Sequence, residues 1–366
     1  MVATSRCRSG SCRLVRVALV LACLAGSLPA GPASAGPELV LDASALRETL
    51  HLTYDRFSYP RVPAPWRRSI GRGLGSISAL DDPAATSGFC ALHEDEACVG
   101  GPGMRRLLRF DVLIHNRGDA DMVLGNPYDR PELYTFSACH GHYHFTDAST
   151  YELLDARGQV VVTGRKQGFC MMDSLPSEPG SDARKKFDCT NQGISVGMAD
   201  LYEAALDCQW LDTTDLPPGR YTVRVVWDPL GQLPDGSAED NVVTATFDIP
   251  RPPDAPPEVT SIDLPRPGSN VPPGRNFRVS WKALDDAGIS SQEVWLSLDD
   301  GETWTQLVGD VAGNRSDWTW NVPADLASDR ARLRVVARDG WAQAGDRTSE
   351  RFTLRRRPTR LARIPR

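Results

Sequence analysis

The sequence has no apolar run long enough to cross a membrane as a helix. Its apolar run Val17–Ala25 is much shorter than the roughly 20 residues that a spanning helix needs. Residues 1–35 also contain no acid: arginines precede this run and the small residues Ala33–Ala35 follow it. This order is typical of a secretory signal peptide. We therefore expect a secreted, extracellular protein without a transmembrane segment, with a lipid anchor on Cys23 as the alternative.

Cysteine and histidine are both absent from residues 258–355. Of the nine cysteines, three lie in residues 1–35 and the other six lie between Cys90 and Cys208. An even number of cysteines in an exported protein predicts disulfide bonds, so we expect cross-links in this stretch alone. Six cysteines allow fifteen pairings, and their spacing does not choose among them.

Positive charge is also in deficit, because the formal net charge is −6. Residues 1–35 and 356–366 contain arginines and no acid, so the part between them is more acidic than the whole chain. An acidic body repels nucleic acid and attracts cationic substrates. Ordinary solubilising charge is the alternative explanation, and under either explanation we expect no nucleic-acid partner.

The fold class follows from the short spacing of the turn residues. Thirty-one glycines and 28 prolines separate short runs rich in Val, Thr, Leu and Trp, which predicts an all-β protein. Five prolines between Pro250 and Pro257 indicate a linker. We therefore predict five parts: a signal peptide (1–35), a β-sandwich with long loops (36–249), a linker (250–257), an immunoglobulin-like or fibronectin-type sandwich (258–355) and a basic tail (356–366).

The last sandwich is rich in tryptophan. Five of its six tryptophans allow two interpretations, a sugar-stacking surface or an ordinary core, and the absence of disulfides there favours the core. They are Trp281, Trp295, Trp304, Trp318 and Trp320.

Three of the six histidines lie in the single motif "CHGHYH", at positions 140, 142 and 144. On a β-strand, alternate side chains point to the same face, so we expect the three imidazoles to project together. Three imidazoles can share one metal ion and leave coordination positions open, which favours catalysis over a structural role. Zinc, copper and nickel all accept imidazole, so spacing alone does not select the metal. A packed histidine cluster without metal is the alternative.

The motifs around these histidines resemble the catalytic domain of the lysyl oxidase family of copper amine oxidases. They occur in the family's order and cover about residues 37–249. They are "LLRFDVLIHNRGDAD", "CHGHYHF", "GRKQGFCMMDS", "FDCTNQGISVGMADLY", "LDCQWLDTTDLPPGRYTVRV" and "DNVV".

This resemblance implies that His140, His142 and His144 bind copper(II). It also implies a lysine tyrosylquinone cofactor, built from Lys166 and Tyr202 of this chain. Such a quinone oxidises a primary amine to an aldehyde, releases ammonia, and is reoxidised by dioxygen with release of hydrogen peroxide. Taken alone, Lys166 would be an ordinary surface lysine and Tyr202 an ordinary half-buried aromatic residue.

The expected function is therefore a secreted amine oxidase that acts on peptidyl lysine, polyamines or diamines and uses dioxygen. One alternative is a noncatalytic exported protein that binds copper or adheres to surfaces. A second alternative is a zinc hydrolase with a water activated at the three histidines. The sandwich at residues 258–355 is a candidate for binding a cell-surface or matrix partner.

Asp200 and Asp207 are candidates for the general base because they lie near Tyr202 in the sequence. A solvated or loop-capping carboxylate is the alternative for each. Animal members have a further histidine where this chain has Ser137, and this departure concerns the substrate pocket more than the metal. The family pattern supports three disulfides: Cys90–Cys139, Cys98–Cys208 and Cys170–Cys189.

A calcium site is implied near the two ends of the first sandwich. Carboxylate and amide oxygens are suitable ligands for calcium, and a plain polar turn is the alternative. The candidate ligands are Glu38, Asp235, Asp240 and Asn241.

Overall fold

Strands make up nearly all of the regular structure in the computed structural model. The structure describes residues 36–58, 90–92, 98–137, 140–164, 168–179 and 184–355. Within these ranges it confirms the all-β prediction, and no helix there is long and apolar enough to cross a membrane. Several predicted features lie outside the described residues: the signal peptide, Cys23, Cys139, Lys166 and the tail 356–366.

The first region, residues 36–249, contains fifteen described strands and one short α-helix, α1 (Ala43–Thr49). Asp42 caps α1 by accepting hydrogen bonds from the backbone N–H groups of Ser44 and Ala45. A 3-10 helix spans Pro131–Leu133. The strands are β1 (Leu39–Leu41), β2 (His51–Phe57), β3 (Gly103–Arg109), β4 (Val112–Asn116), β5 (Met122–Gly125), β6 (Tyr134–Ser137), β7 (His142–Phe145), β8 (Ser149–Leu154), β9 (Val160–Thr163), β10 (Leu175–Pro176), β11 (Gln192–Ile194), β12 (Met198–Tyr202), β13 (Trp210–Asp212), β14 (Gly219–Trp227) and β15 (Val242–Ile249).

Two four-stranded antiparallel sheets enclose the core of the first region. Their strand orders are β1-β4-β12-β10 and β15-β14-β8-β9. Side chains in β8 alternate between buried and half-buried positions, because successive residues of a strand point to opposite faces. Ile114 and Met198 from the first sheet and Tyr151 and Val225 from the second belong to one apolar cluster. This core fixes β12, the strand that ends at Tyr202.

A third sheet, β13-β3-β2, lies beside a smaller apolar cluster. The Cys98–Cys208 disulfide belongs to this cluster, together with Leu107 and Trp210. The disulfide closes a chain separation of 110 residues. It therefore ties the segment that follows Tyr202 to the segment that precedes β3.

The second region, residues 258–355, is a two-layer sandwich. Its sheets have the orders β16-β18-β21 and β17-β24-β22-β19-β20, with β23 paired to β22. Both sheets contribute to one core, for example through Val279 and Leu333. The strands are β16 (Glu258–Leu264), β17 (Asn270–Val271), β18 (Asn276–Leu284), β19 (Ser291–Ser297), β20 (Thr305–Ala312), β21 (Asp317–Asn321), β22 (Ser328–Arg338), β23 (Ala344–Thr348) and β24 (Phe352–Leu354).

Five of the six tryptophans of the second region lie in core or half-buried positions, and Trp341 is exposed. Trp281 and Trp320 are 1% and 3% exposed and belong to the core. Trp295 and Trp304 are half-buried, and the guanidinium of Arg334 lies 5.8 Å and 5.2 Å from their ring centroids. Arginine therefore lies over two of the rings that the sugar-stacking interpretation requires.

The two regions contact each other directly as well as through the linker. The backbone N–H of Met104 in β3 donates to Ser291 Oγ at 2.9 Å, in a buried hydrogen bond. Tyr54 in β2 packs edge-to-face on Trp341, with ring centroids 5.2 Å apart. The second region thus covers part of the β13-β3-β2 sheet.

Candidate metal and quinone site

A short hairpin carries the histidine motif. Its strands β6 and β7 pair antiparallel, with Ser137 opposite His142. The strand begins at His142, so our prediction that all three histidines lie on one strand was wrong for His140, which lies in the turn. Gly141 has a φ of 72°, a left-handed conformation that glycine adopts without steric cost and that interrupts the strand geometry.

The three imidazoles nevertheless converge. His140 Nδ1 lies 3.1 Å from His144 Nε2, and His144 Nε2 lies 3.2 Å from His142 Nε2. Two ligands bound at about 2.0 Å to one metal, at angles near those of a tetrahedron, are themselves roughly 3.3 Å apart. The observed spacing therefore fits nitrogens that share one metal ion.

Ser137 holds the turn that contains His140. Its hydroxyl accepts a hydrogen bond from the backbone N–H of His140 at 3.1 Å, and its carbonyl accepts from Gly141 N–H at 2.9 Å. Ser137 is 3% exposed. Ser137 therefore helps to position His140, the first of the three histidines.

Gln192 joins the hairpin to the segment that begins at Gly168. It is fully buried, donates from Nε2 to the carbonyl of Tyr143 at 2.7 Å and accepts from the N–H of Met171 at 3.0 Å. Phe145 and Phe169 form a backbone bridge between the same two segments. Sequence reasoning missed Gln192, because a buried glutamine has no distinctive spacing in a single sequence.

Tyr202 and Asp200 point into the site from β12. They are alternate residues of one strand and therefore share a face. The Tyr202 hydroxyl donates to Asp200 Oδ2 at 2.5 Å and lies 3.2 Å from the carbonyl oxygen of Cys170, a second acceptor within reach. The Tyr202 ring packs against Phe169, with centroids 4.3 Å apart. Asp200 also accepts hydrogen bonds from Ser174 Oγ at 2.7 Å and from the backbone N–H of Met172 at 3.0 Å.

Burial raises the pKa values of both Asp200 and Tyr202. Loss of solvation raises the pKa of Asp200 to about 6, although hydrogen bonds from Tyr202, Ser174 and Met172 oppose that rise. Burial also raises the pKa of Tyr202 well above its usual value of 10.0, and the neighbouring Asp200 charge adds to that rise. The pair therefore holds its proton on the phenol near neutral pH.

One cavity of about 470 Å³ brings these groups together. The apolar part of its wall includes Phe169, Leu201 and Leu206. Its chemically active lining residues are His140, His142, His144, Asp200, Tyr202 and Asp207. Both candidate bases thus line the cavity, and Asp200 is in direct contact with the Tyr202 hydroxyl.

The disulfide prediction is confirmed for the two pairs whose cysteines are both described. These are Cys98–Cys208 and Cys170–Cys189, with Cα–Cα distances of 5.5 Å and 5.3 Å. Cys90 is also disulfide-bonded, and its predicted partner Cys139 lies outside the described residues.

The predicted calcium ligands cluster where β1 meets the loop before β15. Asp235 accepts from the N–H of Leu39 at 2.8 Å and from Nδ2 of Asn241 at 2.7 Å. Burial, and then the charges of Asp240 and Asp235, raise the pKa of Glu38. Asp240 Oδ1 and Asn241 Oδ1 are buried without a hydrogen-bond partner among the described residues. Such oxygens fit a hard cation.

The first region is similar in sequence to known proteins. The sequence profile described as lysyl oxidase matches residues 84–250. This part of the chain is therefore similar to the lysyl oxidase family. Lysyl oxidase homolog 2 of Rattus norvegicus is 33% identical over 211 residues, which make up 57% of this chain and 24% of that protein. Lysyl oxidase homolog 3 of Homo sapiens is 40% identical over 167 residues, or 42% of this chain and 21% of that protein.

The match to these lysyl oxidase homologs is partial on both sides. The matched part of this chain spans about a quarter (24%) of the length of the rat protein. In this chain the family profile ends at residue 250, so the second region lies beyond it.

The raised pKa of Asp200 predicts a pH-dependent stability. The folded protein takes up a proton at Asp200 near pH 6, whereas the unfolded chain does so near the ordinary pKa of 3.8. As pH falls from about 7 to about 4, this group should therefore increase the free energy of unfolding, by roughly 3 kcal/mol. Denaturant unfolding of the metal-free protein at a series of pH values should show this rise as a pH slope in the free energy of unfolding. Asp200→Asn should remove this contribution to the slope.

The control for this measurement is Asp286→Asn, which changes an exposed carboxyl in the second region. It should keep the pH slope of the unsubstituted protein. An identical slope in Asp200→Asn and the unsubstituted protein would contradict a raised pKa at Asp200.

Proposed function

We propose that this protein is a copper-dependent amine oxidase that converts primary amines to aldehydes. One observation carries the proposal: a single cavity is lined by three converging imidazoles and by the buried Tyr202–Asp200 pair. A metal-binding protein needs only the imidazoles. An oxidase also needs a cofactor, and the buried Tyr202 is the tyrosine from which the proposed quinone would form.

The donor set suits copper. His140, His142 and His144 present ring nitrogens at separations that one ion can bridge, and copper(II) accepts imidazole readily. Copper held there would supply the electron exchange with dioxygen that oxidises the Tyr202 ring. The chain's own task is to hold that ring in the same cavity and to remove its proton.

Lys166 is the proposed partner of Tyr202 in a lysine tyrosylquinone. Sequence supports the assignment, since Lys166 stands in the family motif four residues before Cys170. Gly168, two residues after Lys166 in the sequence, packs so closely on His144 that an added Cβ would lie 3.0 Å from the His144 Cβ. The segment that carries Lys166 therefore continues directly into the wall of the histidine site.

Asp200 is the proposed proton acceptor. Its Oδ2 already accepts the hydrogen bond of the Tyr202 hydroxyl, so it is placed to receive the phenol proton when the ring is oxidised. A pKa of about 6 lets Asp200 take and return a proton near neutral pH. We assign to the same carboxylate the removal of the substrate's α-proton, and we regard Asp207 as a contributor to substrate attraction.

The proposed substrate class is a primary ammonium on a linear aliphatic chain. Asp200 and Asp207 give the cavity negative charge, and Leu201 and Leu206 provide apolar wall for the methylene groups. Peptidyl lysine, polyamines and diamines all meet this description. The described disulfides fit an oxidising compartment, so we also propose that the protein is secreted. We propose the second region as the part that binds a cell-surface or matrix partner.

The test of this proposal is formation of a carbonyl-reactive group. Copper-loaded protein should react with phenylhydrazine to give a coloured adduct, and should release peroxide on addition of a primary amine. Lys166→Ala and Tyr202→Phe should each abolish both signals, because each removes one half of the cofactor. Tyr128→Phe, which changes an exposed tyrosine, is the matched control and should leave both signals unchanged.

The alternatives predict other outcomes of the same experiment. Bound copper with no carbonyl-reactive group would contradict the oxidase and favour the noncatalytic copper-binding protein. Zinc in protein purified without added metal, together with hydrolytic activity, would favour the hydrolase.

Calcium is proposed as a second, structural metal. Burial raises the pKa values of Glu38 and Asp235, and the charge of Asp240 adds to both rises, so a divalent cation would relieve that repulsion. The unpartnered oxygens of Asp240 and Asn241 supply further ligands. Calcium bound there would link β1 to the loop between β14 and β15.

Calcium should therefore stabilise the fold. At a concentration about 100-fold above its dissociation constant, calcium should raise the free energy of unfolding by roughly 3 kcal/mol. Asp240→Asn should remove this gain, whereas Glu239→Gln, at the exposed neighbouring position, should retain it. Equal calcium effects in the two variants, measured by thermal unfolding, would exclude the assigned ligands.

A further inference from the structure

The Cys170–Cys189 disulfide lies against the metal-site histidines. Its two sulfurs and a ring nitrogen of His142 all lie within 4.8 Å of one another. Among the described residues, this is the one group besides the three histidines whose metal-ligating atoms come so close together. His142 therefore belongs to two potential ligand sets, one of three nitrogens and one of a nitrogen and two sulfurs.

The oxidation state of the sulfurs decides which set is available. Sulfurs joined in a disulfide are poor metal ligands, whereas two thiolates are soft, strong ligands for zinc and copper(I). Bond lengths of about 2.3 Å to sulfur and about 2.0 Å to nitrogen place ligand atoms of one tetrahedral ion roughly 3.3 to 3.8 Å apart. Breaking the disulfide lets the two sulfurs move apart to this separation. The His142 nitrogen lies within 4.8 Å of both sulfurs, so it needs to move by only about 1 Å.

We infer that Cys170, Cys189 and His142 form a second, soft-metal site when the disulfide is reduced, and that the disulfide protects the three-histidine site from this competition. In the reduced chain, zinc or copper(I) bound to the two sulfurs takes His142 away from His140 and His144. The consequence for copper loading rests on the proposed function, whereas the thiolate site itself rests on the geometry alone.

Displacement at Cys170 also affects the cofactor tyrosine. The carbonyl oxygen of Cys170 lies 3.2 Å from the Tyr202 hydroxyl, as a second acceptor within its reach. Cys170 is buried, so its side chain cannot turn toward an incoming metal without moving its backbone neighbours. Closing the disulfide before copper arrives therefore keeps both the histidines and Tyr202 in place.

The chemistry of the switch balances with a phosphine reductant. Reduction gives the disulfide two electrons and two protons, which yields two thiols, while the phosphine takes an oxygen atom from water and becomes a phosphine oxide. A metal ion that binds the two sulfurs as thiolates then displaces the two thiol protons.

Cobalt(II) is a suitable probe, because cobalt–thiolate bonds give a charge-transfer absorption that imidazole ligands alone do not. Metal-free full-length protein should show this band with one cobalt per chain after treatment with tris(2-carboxyethyl)phosphine, and not before. The reduced double variant Cys170→Ser/Cys189→Ser should lack the band. Reduced Cys98→Ser/Cys208→Ser, which removes the other described disulfide, should keep it.

A single variant provides the test without global reduction. Cys189→Ser leaves Cys170 as a thiol with the other disulfides intact, and it should show a cobalt–thiolate band without reductant. Adding His142→Ala should weaken cobalt binding by more than the roughly 10- to 100-fold that loss of an outer-shell partner costs. Adding His140→Ala should leave the affinity of this thiolate site within a few-fold, because His140 is not one of its ligands.

Absence of the band in both reduced protein and Cys189→Ser would overturn the inference, as would equal effects of the two histidine substitutions. Copper binding to the untreated, oxidised protein is measured separately. Failure of that binding, or its insensitivity to His140→Ala, would count against the proposed copper site and not against the thiolate site.

Discussion

The buried hydrogen bond between Tyr202 and Asp200 determines what the cavity can do. These alternate residues of one strand share a face, and burial raises the pKa of both. A phenol so placed stays protonated until something oxidises it, and its proton then has a nearby acceptor in Asp200. The apolar core behind β12 keeps this pair out of water, so the chemistry depends on the packing of the sandwich.

Other contacts position the three histidines. The hairpin that carries the histidines is short, and its position depends on contacts with the segment from Gly168 to Met171. These contacts are the Phe145–Phe169 bridge and the two hydrogen bonds of Gln192. The same segment supplies the Cys170 carbonyl to Tyr202 and the Cys170 sulfur beside His142. One stretch of chain therefore connects the three histidines, the Cys170–Cys189 disulfide and Tyr202.

Much of this arrangement was predictable from the sequence. The spacing of His140, His142 and His144 predicted their convergence, and family motifs selected Tyr202 and two disulfide pairs. The turn at Gly141 was not predictable from strand alternation, because a left-handed glycine changes the geometry after a single residue. Sequence position did not choose between Asp200 and Asp207 as the general base. Asp200 is distinguished by its burial and by the 2.5 Å hydrogen bond that it accepts from the Tyr202 hydroxyl. The role of Ser137 depends on a buried turn that no motif records.

The central claim is that this cavity builds a quinone from Lys166 and Tyr202. The most direct measurement is peptide mapping by mass spectrometry of protein expressed and folded with copper. We predict one cross-linked species that joins the peptide containing Lys166 to the peptide containing Tyr202, absent from metal-free protein. Recovery of both peptides from the copper-loaded protein, separate and unmodified, would contradict the claim.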